Sequence, residues 1–252
     1  MKGIAVRIMT VCLTVALCCG CTEDRSVQVL VDEVLAEAGD NAGEFRSVLD
    51  RYSGGCRAAA EYAVAASWGR VSRSGAGMDS IEALYRLLPR NGSWGFDSAE
   101  ASRGRRYSAL PLATAKDAEV MTADYLCANI DDALRLMEVR SWNRNLPQEL
   151  FCEMLLPYRV GDEPLSGWRE AYREWLSDLE DTISGCSGSV DAARIISGRI
   201  GACPYNDALS TPHRRATDLL EAPVGYCRED CDRTLYAMRS MGVPAATDMM
   251  LV

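Results

Sequence analysis

Apolar residues recur along most of this chain at the spacing of one helix face. Val27, Leu30, Val31, Val34, Leu35 and Ala38 fall at i, i+3, i+4, i+7, i+8 and i+11, and Gly39 is placed to end that helix. Asn41 with Glu44 three residues on reads as a capping box, ahead of a second face made by Phe45, Val48, Leu49 and Tyr52. Asp79 with Glu82 repeats that opening before Ile81, Leu84, Tyr85 and Leu88, and Pro89 closes it. The spacing predicts further helices over 120–139 and 147–156, the second with Pro147 in its first turn. The cleanest stripe is Trp168, Ala171, Tyr172, Trp175, Leu176 and Leu179. Two-residue alternation is nearly absent before residue 240, so residues 25 to about 200 are expected to form an array of helices.

Aromatic and methionine residues at helical spacing build cores far more often than cofactor sites, and Trp168 and Trp175 are expected to seal this array. The neighbouring acids Asp131-Asp132 and Glu180-Asp181 do not converge on one point of a helix, and they read as solvated faces. Gly75-Ala76-Gly77 and Gly198 to Gly201 follow no strand pattern and read as loops, not phosphate cradles. Arg103, Arg105 and Arg106 lie in a Gly/Ser-rich stretch and read as a solvated loop.

The first residues change the picture of where the protein works. Lys2 and Arg7 precede an uncharged, largely apolar run from Ile8 to Cys19, too short to span a bilayer and fitting a secretory signal. Gly20 followed by Cys21 resembles a bacterial lipobox, although Cys18 stands where leucine is usual and Leu17 sits one place early. The expectation is a signal over 1–20 and a lipid anchor on Cys21, with Thr22-Glu23-Asp24 similar to the surface-export signal of Bacteroidetes lipoproteins. An ordinary cleaved signal with a chance cysteine is the alternative. The implied setting is the cell envelope: outer membrane, periplasm or cell surface. Loss of the signal moves the net charge from −9 to −11. So acidic a chain is a poor nucleic-acid binder, because phosphate contacts need a basic face.

Of the eleven cysteines, seven lie in the body, at 56, 127, 152, 186, 203, 227 and 231. A chain of this length can bury its own core without disulfide staples. Among these seven there is no Cys-x-x-Cys, and the single histidine, His213, cannot complete a usual zinc set, so neither a metal nor an organic cofactor is implied. An odd count leaves room for one free thiol.

Cys227 is the candidate for that thiol. Pro223 and Gly225 end a loop, a helix is expected to begin near Cys227, and Gly242 and Pro244 break it before an extended, increasingly apolar stretch from Ala245 to Val252. At a helix N-terminus the unpaired N–H groups and the positive end of the dipole favour a thiolate and can hold an oxyanion. Cys231, one turn on, is expected to point into the core.

Gly225-Tyr226-Cys227, then Leu235, Arg239 and Gly242-Val243-Pro244-Ala245, resemble the signature of the transglutaminase-like superfamily, a papain-like fold in which a cysteine begins a helix packed on a sheet. Upstream, Ala38-Gly39-Asp40-Asn41 with Glu44 and Leu49, Asn129-Ile130-Asp131, and Leu156-Pro157-Tyr158-Arg159 with Glu163 and Trp168-Arg169 are similar to transglutaminase-domain lipoproteins of Bacteroides and relatives. The resemblance runs over most of residues 30 to 250. It implies a helical region at 21–200 and, at 201–252, the start of an α+β transglutaminase-like domain, its cysteine helix and first strand. It also implies a thiol acyltransferase, amidase or peptidase with Cys227 as nucleophile, acting on a protein, peptide or amide. The family's general base is a histidine on a strand well downstream, oriented by an aspartate further on.

The departure lies in that pair. Val252 falls in what would be the first strand after the cysteine helix, so the downstream His and Asp are missing and the sequence reads as a fragment, inactive as it stands. His213 is the only substitute base, and Arg214 and Arg215 beside it read as an exposed turn. The other readings are a non-catalytic envelope binding or assembly lipoprotein using the helical array, and a decayed product with no stable fold past residue 200.

Overall fold

A computed structural model describes residues 26–90, 92–209 and 211–247. The signal, the lipidation candidate Cys21 and the end of the expected final strand lie outside these residues. The chain is mainly α, as its periodicity predicts. Helices α1 (Val27–Glu37), α2 (Ala42–Arg51) and α3 (Gly55–Ala65) lead into strand β1 (Val71–Ser74), then α4 (Ala76–Tyr85) and α5 (Ser98–Ser108). Strand β2 (Ala113–Lys116) is followed by α6 (Asp117–Val120), α7 (Ala123–Val139) and α8 (Gln148–Leu150), which runs into a π turn at Phe151–Leu155. Helices α9 (Trp168–Trp175), α10 (Glu180–Ser184), α11 (Ser189–Ile200), α12 (Ala216–Glu221) and α13 (Cys227–Ser240) complete it.

The apolar stripes become three packed clusters. Val31, Val34, Phe45, Val48 and Leu49 meet α3, α7 and the segment Phe151–Tyr158 in the first. In the second, Trp168, Tyr172 and Leu176 pack on Ile183, Ile196 and the far half of α13. The third is smaller, with Ile81, Tyr85 and Leu88 against Leu209, Ala222 and Val224. The residues before the cysteine helix are thus held by α4, a contact between distant parts of the chain that periodicity does not reveal.

Several sequence expectations are corrected here. Strands β1 and β2 pair antiparallel, Val71 opposite Lys116 and Ser74 opposite Ala113, where no strand was expected. With four residues each they are too short for alternation to register. Arg103, Arg105 and Arg106 lie on α5, not a loop, because Asp97 accepts from Glu100 N–H at 2.7 Å while Glu100 accepts from Asp97 N–H at 3.1 Å. Ala76 and Gly77 are helical too, and Gly77 is required because a Cβ there would stand 2.4 Å from the Tyr107 carbonyl oxygen. That helix starts at Ala76, ahead of the expected Asp79 opening. Gly198 lies within α11. Neither Asn41 nor Glu44 caps α2. Asn41 donates to the carbonyls of Ala118 and Met121 at 3.0 and 2.8 Å, and Glu44 accepts from Ala123 N–H at 2.6 Å. Residues that look like local caps instead bolt α2 to the start of α7.

Candidate functional site

Cys227 is the first residue of α13, and its side chain is exposed. Its position follows from three local features. The strand-like contact of Tyr205 with Gly225 is closed by Gly225 N–H to the Pro204 carbonyl at 3.1 Å and Asn206 N–H to the Gly225 carbonyl at 2.6 Å. Glu229 folds back from the first turn to accept from Tyr226 N–H at 3.1 Å. Gly225 allows this, since a Cβ there would lie 2.6 Å from Glu229 Cβ and Cγ. Glu229 is buried and also accepts from Arg228, whose guanidinium reaches the Pro212 carbonyl at 3.2 Å.

The loop ahead of the corner is held from below. Arg214, fully buried, forms a two-pronged ion pair with Glu82 at 2.6 Å on each prong, lies over the Tyr85 ring at 4.4 Å, and donates to the carbonyls of Val224 and Ala222 at 2.6 and 3.1 Å. The expectation of an exposed turn at Arg214 is therefore wrong. Its charge is buried because it has a carboxylate fork and two carbonyls to satisfy it.

His213 is engaged elsewhere. Its Nδ1 lies 2.7 Å from Asp232 Oδ2, and its backbone N–H donates to Asp162 Oδ1 at 3.0 Å. The ring lies over Gly161, where a Cβ would come within 2.4 Å of it. The hydrogen bond to Asp232 raises the histidine's pKa above 6.5, against the opposing effect of burial. Asp232 follows Cys227 by five residues, about 140° around the helix axis. No described residue, His213 included, hydrogen-bonds the Cys227 thiol.

Cys231 is exposed and not in the core, contrary to expectation. Partial burial, then Asp230 and Asp232, raise its pKa. The seven cysteines described are all unpaired thiols, and among the described residues no cluster of His, Cys, Asp or Glu could hold a metal. No described helix is long and apolar enough to cross a membrane.

The upstream residues quoted for the family resemblance turn out to tie elements together. Asn129 donates to the Leu156 carbonyl at 2.8 Å and accepts from Arg169 Nε at 2.6 Å. Arg169 is buried over the Trp168 ring, and burial pulls its pKa down to about 9. Arg159 joins Asp117 and Ser72 at 3.0 and 3.1 Å, while Tyr158 donates to the same buried Asp117 at 2.6 Å. Glu163 accepts from Val160 N–H and Gly161 N–H, each at 2.8 Å, and from the Tyr236 hydroxyl. Of the four acids read as solvated, Asp131 and Asp181 are exposed, whereas Asp132 and Glu180 are partly enclosed: Asp132 pairs with Arg173 and Arg135, and Glu180 with the buried Arg140 at 2.7 Å.

Sequence reasoning missed Arg140, Arg214 and Asp117. A signal was present, since the chain has 25 arginines against two lysines. Arginine is the cation whose planar fork suits burial.

No protein family, curated protein or solved structure was found to match this chain.

Proposed function

We propose that this is an envelope protein of the thiol acyl-transfer and amide-hydrolysis class, anchored by a lipid on Cys21, with Cys227 as the attacking atom. The observation that carries this reading is the corner itself: an exposed cysteine at the first position of a fourteen-residue helix whose far end, Leu235 to Ser240, is buried. In the reaction the sulfur attacks the carbonyl carbon of an amide and the carbonyl oxygen takes up negative charge near the first-turn N–H groups. The C–N bond then breaks, the amine leaves with a proton, and an acyl thioester remains for water or a second amine. His213 is held by Asp232 and does not hydrogen-bond the thiol, so the base for this step is a group other than His213.

The test is intact-mass analysis after brief exposure to p-nitrophenyl acetate, with the acylated residue located by peptide mapping. Cys227 should acquire the acetyl group at least several-fold faster than Cys231, and Cys227→Ser should abolish the fast phase. Equal rates at the two exposed cysteines would remove Cys227 from the nucleophile role. A second reading, a non-catalytic binding or assembly lipoprotein, is favoured by the commitment of the only histidine to Asp232. It expects Cys227→Ser to leave the envelope phenotype of a deletion strain fully complemented.

A further inference from the structure

At the other end of α13, about 18 Å along the axis from Cys227, Arg239 faces a separate pocket. This pocket has a volume of about 240 Å³ and is walled by Ala66, Pro157, Val160 and Leu235, with Tyr62 and Thr247 at its sides. Arg239 is only 5 % exposed. Its Nε is held by the carbonyls of Met154 and Ala245 at 3.0 and 3.1 Å, and its two terminal nitrogens hydrogen-bond no described residue. A buried guanidinium ordinarily sits against a carboxylate. Here the pocket holds a second cation as well as one carboxylate: Arg70 lines it, 5.9 Å from the Tyr158 ring and with no ion pair to a described residue, and Glu153 lines it too. Burial brings the pKa of Arg239 down to about 10, against Tyr236 and Glu163, which raise it, and with a further lowering from Arg70. Arg159 also lines the pocket, but Asp117 neutralises it.

We infer that this pocket is a binding site for a small monocarboxylate, taken by the free fork of Arg239 and by Arg70, with the aliphatic part of the ligand against Leu235, Val160 and Ala66. Two guanidiniums with no carboxylate partner among the described residues, lining one half-open pocket, suit a two-oxygen anion, because parallel N–H bonds to both oxygens are the strongest arrangement arginine makes. Glu153, which also lines the pocket, offsets part of this positive charge and so disfavours a dianion relative to a single negative charge. A volume of about 240 Å³ suits a short branched or straight chain. The site is independent of the chemistry proposed at Cys227.

The experiment is calorimetric titration of the full chain with isobutyrate and, separately, with inorganic phosphate. Three variants accompany it: Arg70→Gln, Arg239→Lys and Asp248→Asn. Asp248 directly follows Thr247 in the sequence, and this variant tests whether the chain supplies the anion itself. The expected result is saturable isobutyrate binding by the wild type, at least fivefold tighter than phosphate. Arg70→Gln, a half-buried position whose replacement leaves the core intact, should weaken it at least fivefold, and Asp248→Asn should leave it unchanged. Binding that appears only in Asp248→Asn would mean that the chain fills the pocket itself, and would overturn the inference. So would the absence of binding in both proteins, a preference for phosphate, or affinity undiminished in both arginine variants.

Discussion

The two ends of α13 are made from the same helix and treated in opposite ways. Its first turn leaves Cys227 and, a turn later, Cys231 in contact with solvent, whereas every residue from Leu235 to Ser240 is buried. The far end carries Tyr236, Ala237, Met238 and Met241 into the second core cluster. The near end is positioned by polar groups: Glu229 under Tyr226, Asp232 against His213, and Asp230 accepting from Cys203 N–H at 2.7 Å. An apolar anchor thus supplies rigidity at one end, and a ring of charged ties aims the other. A thiol presented this way is fixed in direction while staying accessible, which is what orientation-dependent chemistry needs.

The largest expected effect comes from breaking the tie beneath the near end. Arg214→Met leaves Glu82 buried without its partner and should destabilise the fold by about 3–5 kcal/mol, measured by urea unfolding. The double variant Arg214→Met with Glu82→Met should recover most of that loss. Failure to recover would mean that the carbonyls of Ala222 and Val224, not the ion pair, are what Arg214 is needed for. Next, Gly225→Ala forces Glu229 off Tyr226 N–H. A cost of about 1–3 kcal/mol is expected, together with a change in the alkylation rate of Cys227 that Gly242→Ala at the far end does not produce.

A third, smaller effect depends on pH. His213 faces Asp232, Glu163 and Arg228, and its folded pKa lies above 6.5, so the folded state holds the proton more tightly than the unfolded chain. The stability this adds is fully present below about pH 6.5 and is lost as the pH rises through the folded pKa. His213→Asn should therefore lower stability by about 1–2 kcal/mol at pH 6, with the gap to wild type narrowing toward pH 9. A gap independent of pH would mean the pair is not ionic. The smallest effect is that of Cys227→Ser, which should change stability by less than about 0.5 kcal/mol while removing the fast-reacting thiol. A larger loss would show that the near end is also structural.

How much of this was legible depended on the kind of contact. Phe45, Val48, Trp168 and Tyr172 could be placed inside because burial of a stripe is a local property of a helix. The start of α13 at Cys227 was legible for the same reason, with Gly242 and Pro244 marking its end. Asn41 and Glu44 were misread because their spacing satisfies a capping box, yet the partners they use lie about eighty residues away. Cys231 was misplaced because a turn of helix beyond an exposed residue need not be covered unless another element crosses it. The commitment of His213 to Asp232 could not be read either, since nothing in the loop around His213 says which element it will meet.

The buried arginines have a consequence for how such a chain can change over generations. Arg140, Arg169, Arg214, Arg233 and Arg239 all donate to main-chain carbonyls, those of Met241, Leu155, Val224, Ile200 and Met154 among them. A carbonyl persists whatever side chain its residue carries. Dependence between donor and acceptor is therefore one-sided: the acceptor positions are free to drift, and the arginines are not, lysine being no substitute for a planar fork. In diverged chains of this fold, Arg239, whose printed partners are all carbonyls, should stand as a fixed point with no co-varying partner, whereas Arg140, Arg169 and Arg214 also have the side chains of Glu180, Asn129 and Glu82 to vary with. Pairwise covariation would miss the very contacts that hold α13 in place.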